Sequence, residues 1–453
     1  MTLLAKYYVP GLAVEDHSIK VPLDWRVNSP GKGFTGKSLS LFYRVVTAPE
    51  HVHDDLPLLL FLQGGPGGAS PRPLDPSSDG WIEEAIKHFR VVLPDQRGTG
   101  RSSCVDSNTM RHIEGAENQA EYLKCFLAGS IVRDFEHLRR TEFDGRKWVT
   151  LGQSYGGFLT LAYLSLDPEG LAACFTTGGI PHVPASAREV YEHTFNRMVQ
   201  KTVQYYRRYP HDIERVTAVA DKIASLEGHH KDDILLPNGD PLTVERLQTL
   251  GSDFGMKPSP ERLHWIMDMA FAKDDGSENV HAPLSDQFLE AVMEATASDP
   301  LYWPLQEFIY ADGELEEPMG WAAQQVRDAH PEFSVEHRPL VFTGEAVFPW
   351  MFEQERALRP FRAAMDVLMN DTLFCKIYDT VQLKHNDVPL QAAVYFDDMY
   401  VDSGMQLDTL SRVGNAHAWV TNEYEHDGIH HGGAVFAHLY NEALNRGDLE
   451  KVY

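Results

Sequence analysis

The chain is 453 residues long, 43% hydrophobic and 23% charged, the proportions of a globular protein with a sizeable core rather than a disordered or low-complexity one. At that length one ordinary compact core is too small, so two domains, or one large domain with an insertion, are expected. Its 40 Lys and Arg against 66 Asp and Glu leave a formal charge of −26 spread along the chain, which repels phosphate backbones and anionic lipid and excludes nucleic-acid and membrane partners from the expectation.

The N-terminal stretch "MTLLAKYYVPGLAVEDHSIKVPLDW" has no long apolar core followed by a small-residue cleavage site, and nowhere do 18 apolar residues run together. A soluble, cytoplasmic protein is expected. Short apolar runs with β-branched residues then recur: "LSLFYRVVTA" from 39, "LPLLLFLQ" from 56, "FRVVLPDQ" from 89, "KWVTLGQS" from 147 and "LAACFTTGG" from 171. Between them lie helical stretches, notably "NQAEYLKCFLAGSIVRDFEHLRRTEF" and "YGGFLTLAYLSLDP". Alternation of strand and helix predicts an α/β fold, a mostly parallel sheet covered by helices on both faces. From about 183 to 345 long amphipathic segments such as "AREVYEHTFNRMVQKTVQYYRRY" and "DIERVTAVADKIASL" dominate, and strand signals return in "VPLQAAVYFDDMYV" and "NAHAWVTNEY". The expected organisation is a sheet domain split in sequence, 1–182 and 346–453, with 183–345 inserted as a helical cap. The cysteines, Cys104, Cys125, Cys174 and Cys375, have no metal-type spacing and read as reduced thiols, so no metal site is expected.

The stretch "VTLGQSYGGF", 149–158, carries G-x-S-x-G, the nucleophile elbow. Chance gives roughly 0.15 such matches in a chain of this composition, so the bare pattern decides little. Its context decides more: an apolar strand leads in, Gly157 follows, and an apolar helix leads away. A serine on so sharp a turn is strained, and Gly152 and Gly156 omit the side chains that would keep strand and helix apart. The competing reading is a serine that caps the helix.

A nucleophilic Ser154 needs a base, an acid to orient the base, and donors for an oxyanion. On sheets that carry this elbow the triad runs serine, acid, histidine. After the strand "PLQAAVYF" come Asp397, Asp398 and Asp402, and after "AWVTNEYE" comes His426, 28 residues beyond Asp398. Both lie where strands end, which is where open α/β sheets bind ligands. Asp398 is preferred because a residue just past the strand can turn back toward the histidine; Asp397 reads as a turn or cap residue. His426 is preferred over His417, which precedes the predicted strand, and over His430 and His431, which read as the start of the last helix. The expected oxyanion donors are the amide of Tyr155 and those of Gly64 and Gly65 in "FLQGGPGGAS", where glycines let amides approach a bound carbonyl. That loop lacks the closing G-K-[ST] of a phosphate loop.

Taken together, "GGPGG", "PDQRGTGRS" and "GQSYGG" in this order resemble the α/β-hydrolase fold, and within it the prolyl aminopeptidases, or proline iminopeptidases. The resemblance covers the split core, with "DQRGTGRS" similar to a family loop that organises the site. The family's loop begins His-Gly-Gly-Pro-Gly, whereas this chain has Gln63 in place of the histidine. The family's acid matches Asp398 in "YFDDMYVD" and its histidine matches His426 in "EHD". The resemblance implies cap glutamates that hold the substrate's free imino group, for which the local candidates are Glu307 and Glu345. A protonated proline suits carboxylates in an aromatic pocket, and Tyr302, Trp303, Phe348 and Trp350 are candidates for its walls.

The implied function is a serine exopeptidase that releases N-terminal proline from small peptides through a prolyl-enzyme intermediate, with no cofactor. The rival enzyme reading is an esterase or amide hydrolase acting on small uncharged substrates, and the rival from another class is a non-catalytic binding protein on the same fold. An epoxide hydrolase or dehalogenase would carry Asp at the elbow. The sequence holds no signal for oligomeric state.

Overall fold

In the computed structural model, residues 2–26, 34, 36–226, 234–272, 279–296 and 300–453 are described. Apolar runs become strands where both sides of the run are covered. Thus β1 (Thr2–Val9), β2 (Leu12–Pro22), β3 (Ser38–Thr47), β4 (Leu58–Leu62), β5 (Arg90–Pro94), β6 (Trp148–Gln153), β7 (Leu171–Thr177), β8 (Leu390–Tyr395) and β9 (Ala416–Thr421) form one sheet, in the spatial order β1-β2-β3-β5-β4-β6-β7-β8-β9. From β5 to β9 the pairing is parallel. The central strands β4, β6, β7 and β8 are buried along their whole length, while β9 at the edge alternates in exposure.

The first two strands were not foreseen in the sequence. They pair antiparallel, β1 with β2 and β2 with β3, the latter in a ten-residue register from Ala13↔Thr47 to Pro22↔Ser38. Their residues mix polar and apolar types because this end of the sheet is only partly covered, which weakens the periodic signal.

Helices cover both faces. One face carries α1 (Trp81–Ala85), and later α17 (Ala434–Arg446), whose Phe436 joins Trp81, Phe89 and Phe175 in one apolar cluster. After α2 (Ser107–Arg111), the long helical stretch read from the sequence divides into α3 (Ala116–Lys124) and α4 (Ala128–Glu142). The break leaves the Cys125 carbonyl free to accept from Arg97 Nη1 at 2.7 Å. On this second face α4 packs on α5 (Tyr155–Leu166), which crosses β4, β6 and β7.

Between β7 and β8 the described helices are α6 (Ala187–Arg208), α7 (Asp212–Leu226), α8 (Val244–Gln248), α9 (Ser259–Asp268), α10 (Asp286–Thr296), α11 (Tyr302–Gln306), α12 (Ala322–Ala329), α13 (Met351–Gln354), α14 (Arg362–Leu368) and α15 (Thr380–Lys384). The 22-residue α6 begins under a Ser186 cap and packs on α12. Both α14 and α15 return to the sheet portion, packing on α3 and α5 respectively. After β8, α16 (Ser403–Leu410) is capped by Asp402.

Close approach at the start of α5 explains the glycines there. A Cβ on Gly156 would collide with the Leu62 carbonyl at the end of β4, and one on Gly157 with the Gly179 carbonyl beyond β7. Because these neighbours are backbone, nothing can swing aside. Gly156→Ala is therefore expected to destabilise the fold by about 3 kcal/mol or more, at the upper end of the overpacking range; urea unfolding of the variant against the parent measures it.

Candidate active site

The elbow is strained at its serine. Ser154 has φ 54 and ψ −124, stands at the N-cap of α5, and makes no side-chain capping bond. A capping serine would have extended backbone and accept from an amide of the first turn, so the capping alternative does not describe this residue. Its backbone is held instead, with Ser154 N donating to Thr177 O at 3.0 Å and Ser154 O accepting from Gly157 N at 2.8 Å. Tyr155 is the first residue of α5, and an α-helix leaves its first amides without intrahelical partners.

Two further strands deliver Asp398 and His426. Asp398 follows β8, is fully buried, and accepts from Tyr400 N at 2.8 Å and Val401 N at 3.0 Å. Its other oxygen meets His426 Nδ1 at 2.9 Å, which leaves Nε2 as the free ring nitrogen. Asp402 serves elsewhere, accepting from Met405 N and pairing with Arg197. His430 and His431 pair with Asp79 and Asp427, and His417 lies within β9. The ring of Tyr400 stands edge-on to His426 with centroids 4.6 Å apart.

The loop after β4 is held by the "DQRGTGRS" segment. Gln96 Nε2 donates to Gln63 O at 2.8 Å. The buried Asp95 accepts from Ser70 N, from both terminal nitrogens of Arg72 and from Arg101 N. Arg97 anchors the segment through Asp134 and the carbonyls of Pro22, Leu23 and Cys125. So fixed, Gly64 lies against the elbow: an added Cβ would meet Gln153 Oε1 and stand 3.1 Å from Ser154 Cβ. Gly65 has φ 120, a conformation that only glycine adopts freely.

These elements share one cavity of about 280 Å³, whose wall includes Gly64, Gly65, Ser154 and His426. That is the small end of ligand sites, which run roughly 300–1,000 Å³. Tyr302, Trp303 and Glu345 also line it, with the Tyr302 hydroxyl donating to Glu345 Oε1 and the two rings edge to face at 4.8 Å. The other three predicted pocket residues are not on this wall. Glu307 is 0% exposed, one oxygen taken by Ala322 N and the other without a partner. Phe348 is packed under the Arg327 guanidinium, 5.4 Å from its ring centroid, and Trp350 stacks on Phe348 from the other sequence side. Aromatic side chains near a charged cluster serve core and site alike, so their sequence position could not separate the two.

Sequence reasoning missed Gln153, Asp253, Tyr400 and Glu355 on the same wall. The 3-10 turn Thr249–Gly255 brings Asp253, and Glu355 is the C-cap of α13. Neither has a motif around it, and only the packing of the helices between β7 and β8 brings them to the cavity.

Burial dominates the electrostatics. It pushes the Glu307 carboxyl up to about 8 against the opposing bonds from Ala322 and Ala323. It pushes Glu345 up to about 7, with His426 opposing and Asp398 adding to the rise. For His426 burial works downward, yet the charge and hydrogen bond of Asp398, with Glu345 and Asp427, outweigh it and raise the imidazole above its ordinary value. Among the described residues no group of three His, Cys, Asp or Glu side chains could hold a metal ion, and no helix is long and apolar enough to cross a membrane.

A strained serine between a parallel strand and a helix, on this sheet order, belongs with the alpha/beta hydrolase fold family, which matches residues 57–262; the chain is an α/β hydrolase. It is 39% identical over 93% of its length to a proline iminopeptidase of Aeromonas sobria, covering 94% of that protein. It is 31% identical over 90% of its length to a proline iminopeptidase of Aspergillus aculeatus, covering 90% of that one. The chain belongs to the proline iminopeptidase family.

The raised carboxyls set a pH dependence of stability. Glu307, Glu345 and Glu355, raised to about 8, 7 and 7, bind more protons folded than unfolded, so their contribution is full at low pH and is lost as pH rises through those values. Glu307→Gln removes the largest of these shifts. Its melting temperature is expected to gain on the parent's as pH goes from about 6 to about 9, and a constant difference across that span would refute the assignment.

Proposed function

We propose that this chain is a serine exopeptidase that releases N-terminal proline from small peptides. The observation that carries the reading is the Asp398–His426 pair, 2.9 Å apart, opening on the same cavity as the strained Ser154 and the half-buried Glu345. Membership of the proline iminopeptidase family supports the substrate class.

The substrate's proline ammonium binds the ionised Glu345, which Tyr302 orients, with Trp303 as an aromatic wall. Its carbonyl carbon then faces Ser154. As Ser154 Oγ attacks, its proton passes to His426 Nε2, and the oxyanion is held by the amide of Tyr155 and that of Gly64 or Gly65. Asp398, held by two backbone amides, keeps the imidazole's Nδ1 protonated and stabilises the imidazolium. Collapse breaks the C–N bond, His426 gives its proton to the departing amine, and a prolyl ester remains on Ser154. Water attacks that ester with His426 again as base, which frees proline and restores the serine. Gln63 contributes its backbone carbonyl to the anchoring of the loop, so the loop's position does not need the family's histidine. Glu307 acts from behind the wall, through the Ala322 amide that it holds.

Ser154→Ala is expected to abolish hydrolysis of a prolyl arylamide, and Asp398→Asn to lower kcat by about 10⁴, the cost of losing the correct tautomer. N-acetylation of the same substrate removes the ammonium and is expected to remove turnover. Equal cleavage of the free and acetylated forms would instead favour a hydrolase of uncharged substrates. Both Glu345 and His426 work deprotonated, and both are raised. The acid limb of kcat/KM for the arylamide is therefore expected near or above pH 7, higher than the roughly 6.5 of a free imidazole; a limb centred below that value would contradict this assignment of the base and the anion.

A further inference from the structure

The cavity contains more carboxyl groups than the proposed reaction uses. Besides Glu345, its wall carries Asp253 and Glu355, and among the described residues no lysine or arginine lines it. Glu355 is 8% exposed, yet its carboxyl has no hydrogen bond or ion pair with any described residue. Arg246, whose charge partly offsets the burial of Glu355, makes its contacts elsewhere: Nη1 is paired with Asp240 at 3.4 Å and Nε donates to Thr296 Oγ1 at 3.1 Å. A carboxyl so buried and left without a partner is costly, unless something that enters the cavity pairs with it. Asp253, likewise, has no side-chain hydrogen bond with any described residue, and burial raises it with only a partial offset from Arg262.

Geometry gives the occupant its direction. On the proline-releasing reading, the ammonium lies at Glu345 and the carbonyl at Ser154. The part of the peptide beyond the scissile bond must then use the remaining wall, which Asp253, Met256, Ala295, Thr296, Met351 and Glu355 supply. Met256 and Met351 offer flexible apolar surface for a long alkyl stem, and the two carboxyls on the same wall offer partners for its cationic head. We propose that Asp253 and Glu355 form a cation subsite for the residue that follows proline, selecting peptides with lysine or arginine in that position. The formal charge of −26 favours approach of such peptides as well.

This inference rests on the proline-releasing reading, and the test separates the two. Hydrolysis of Pro-Lys-NH2, Pro-Nle-NH2 and Pro-Glu-NH2 is compared near pH 8.5, where a carboxyl raised to about 7 is ionised and a lysine side chain, at about 10.4, stays charged. In the parent, kcat/KM is expected to be about tenfold higher for the lysyl than for the norleucyl substrate and lowest for the glutamyl one. Glu355→Gln and Asp253→Asn should each pull the lysyl-to-norleucyl ratio toward one, a change that a purely structural role, acting on both substrates alike, would not produce. Product inhibition needs no variant: lysinamide should inhibit the parent more tightly than norleucinamide. A parent ratio of one with turnover of Pro-Nle-NH2 overturns the subsite alone, as does an unchanged ratio in both folded variants or equal inhibition by the two amides. No turnover of any of the three overturns the proline-releasing reading and the subsite with it.

Discussion

The first turn of α5 is pressed so closely against the ends of β4 and β7 that no side chain fits between them. Gly152, Gly156, Gly157 and Gly179 each face backbone at distances a Cβ could not tolerate. Out of that contact comes the backbone of Ser154, turned to φ 54 and ψ −124. Strain of this kind persists only where the surroundings over-determine it, and here the surroundings are three fully buried strands, β4, β6 and β7. Everything else at the site is arranged relative to this one fixed point.

The other parts are held by buried charge rather than by apolar contact. Arg97 and Asp134 are both completely buried and pair at 2.5 Å, and the remaining donors of Arg97 reach three backbone carbonyls. Asp95 does the same for amides and for Arg72. Buried ion pairs contribute little net stability compared with apolar packing, because desolvation opposes them. What they provide here is position: the segment ties the strand-β2 end, the α3–α4 break and the loop carrying Gly64 and Gly65 into one unit.

Across the cavity from the elbow loop the logic reverses. Glu307, Glu345 and Glu355 sit in low-dielectric surroundings with few partners, and all three are raised toward neutrality. Perturbed groups of this sort concentrate at sites that do chemistry or bind charge. The fold tolerates their cost because the apolar core that covers the sheet runs on through the helices between β7 and β8.

Contiguous residues carry what was legible in the sequence: the strand, glycines, serine and helix of the elbow, the glycine run after β4, and the apolar runs of the central strands, whose burial on both faces makes the signal continuous. The pairing of β1 and β2 was hidden, since partly covered strands mix residue types. Asp398 and His426 could be nominated from their places after two late strands, but the 2.9 Å contact between them exists only once β8 and β9 lie side by side. The wall of the cavity was only partly in reach. Tyr302, Trp303 and Glu345 reach it while Glu307, Phe348 and Trp350, from the same segments, do not, and Asp253 and Glu355 join it without any motif. Local sequence determines backbone conformation and periodic burial; which side chains of separate helices meet across a cavity is decided by packing alone, and packing is a property of the assembled chain.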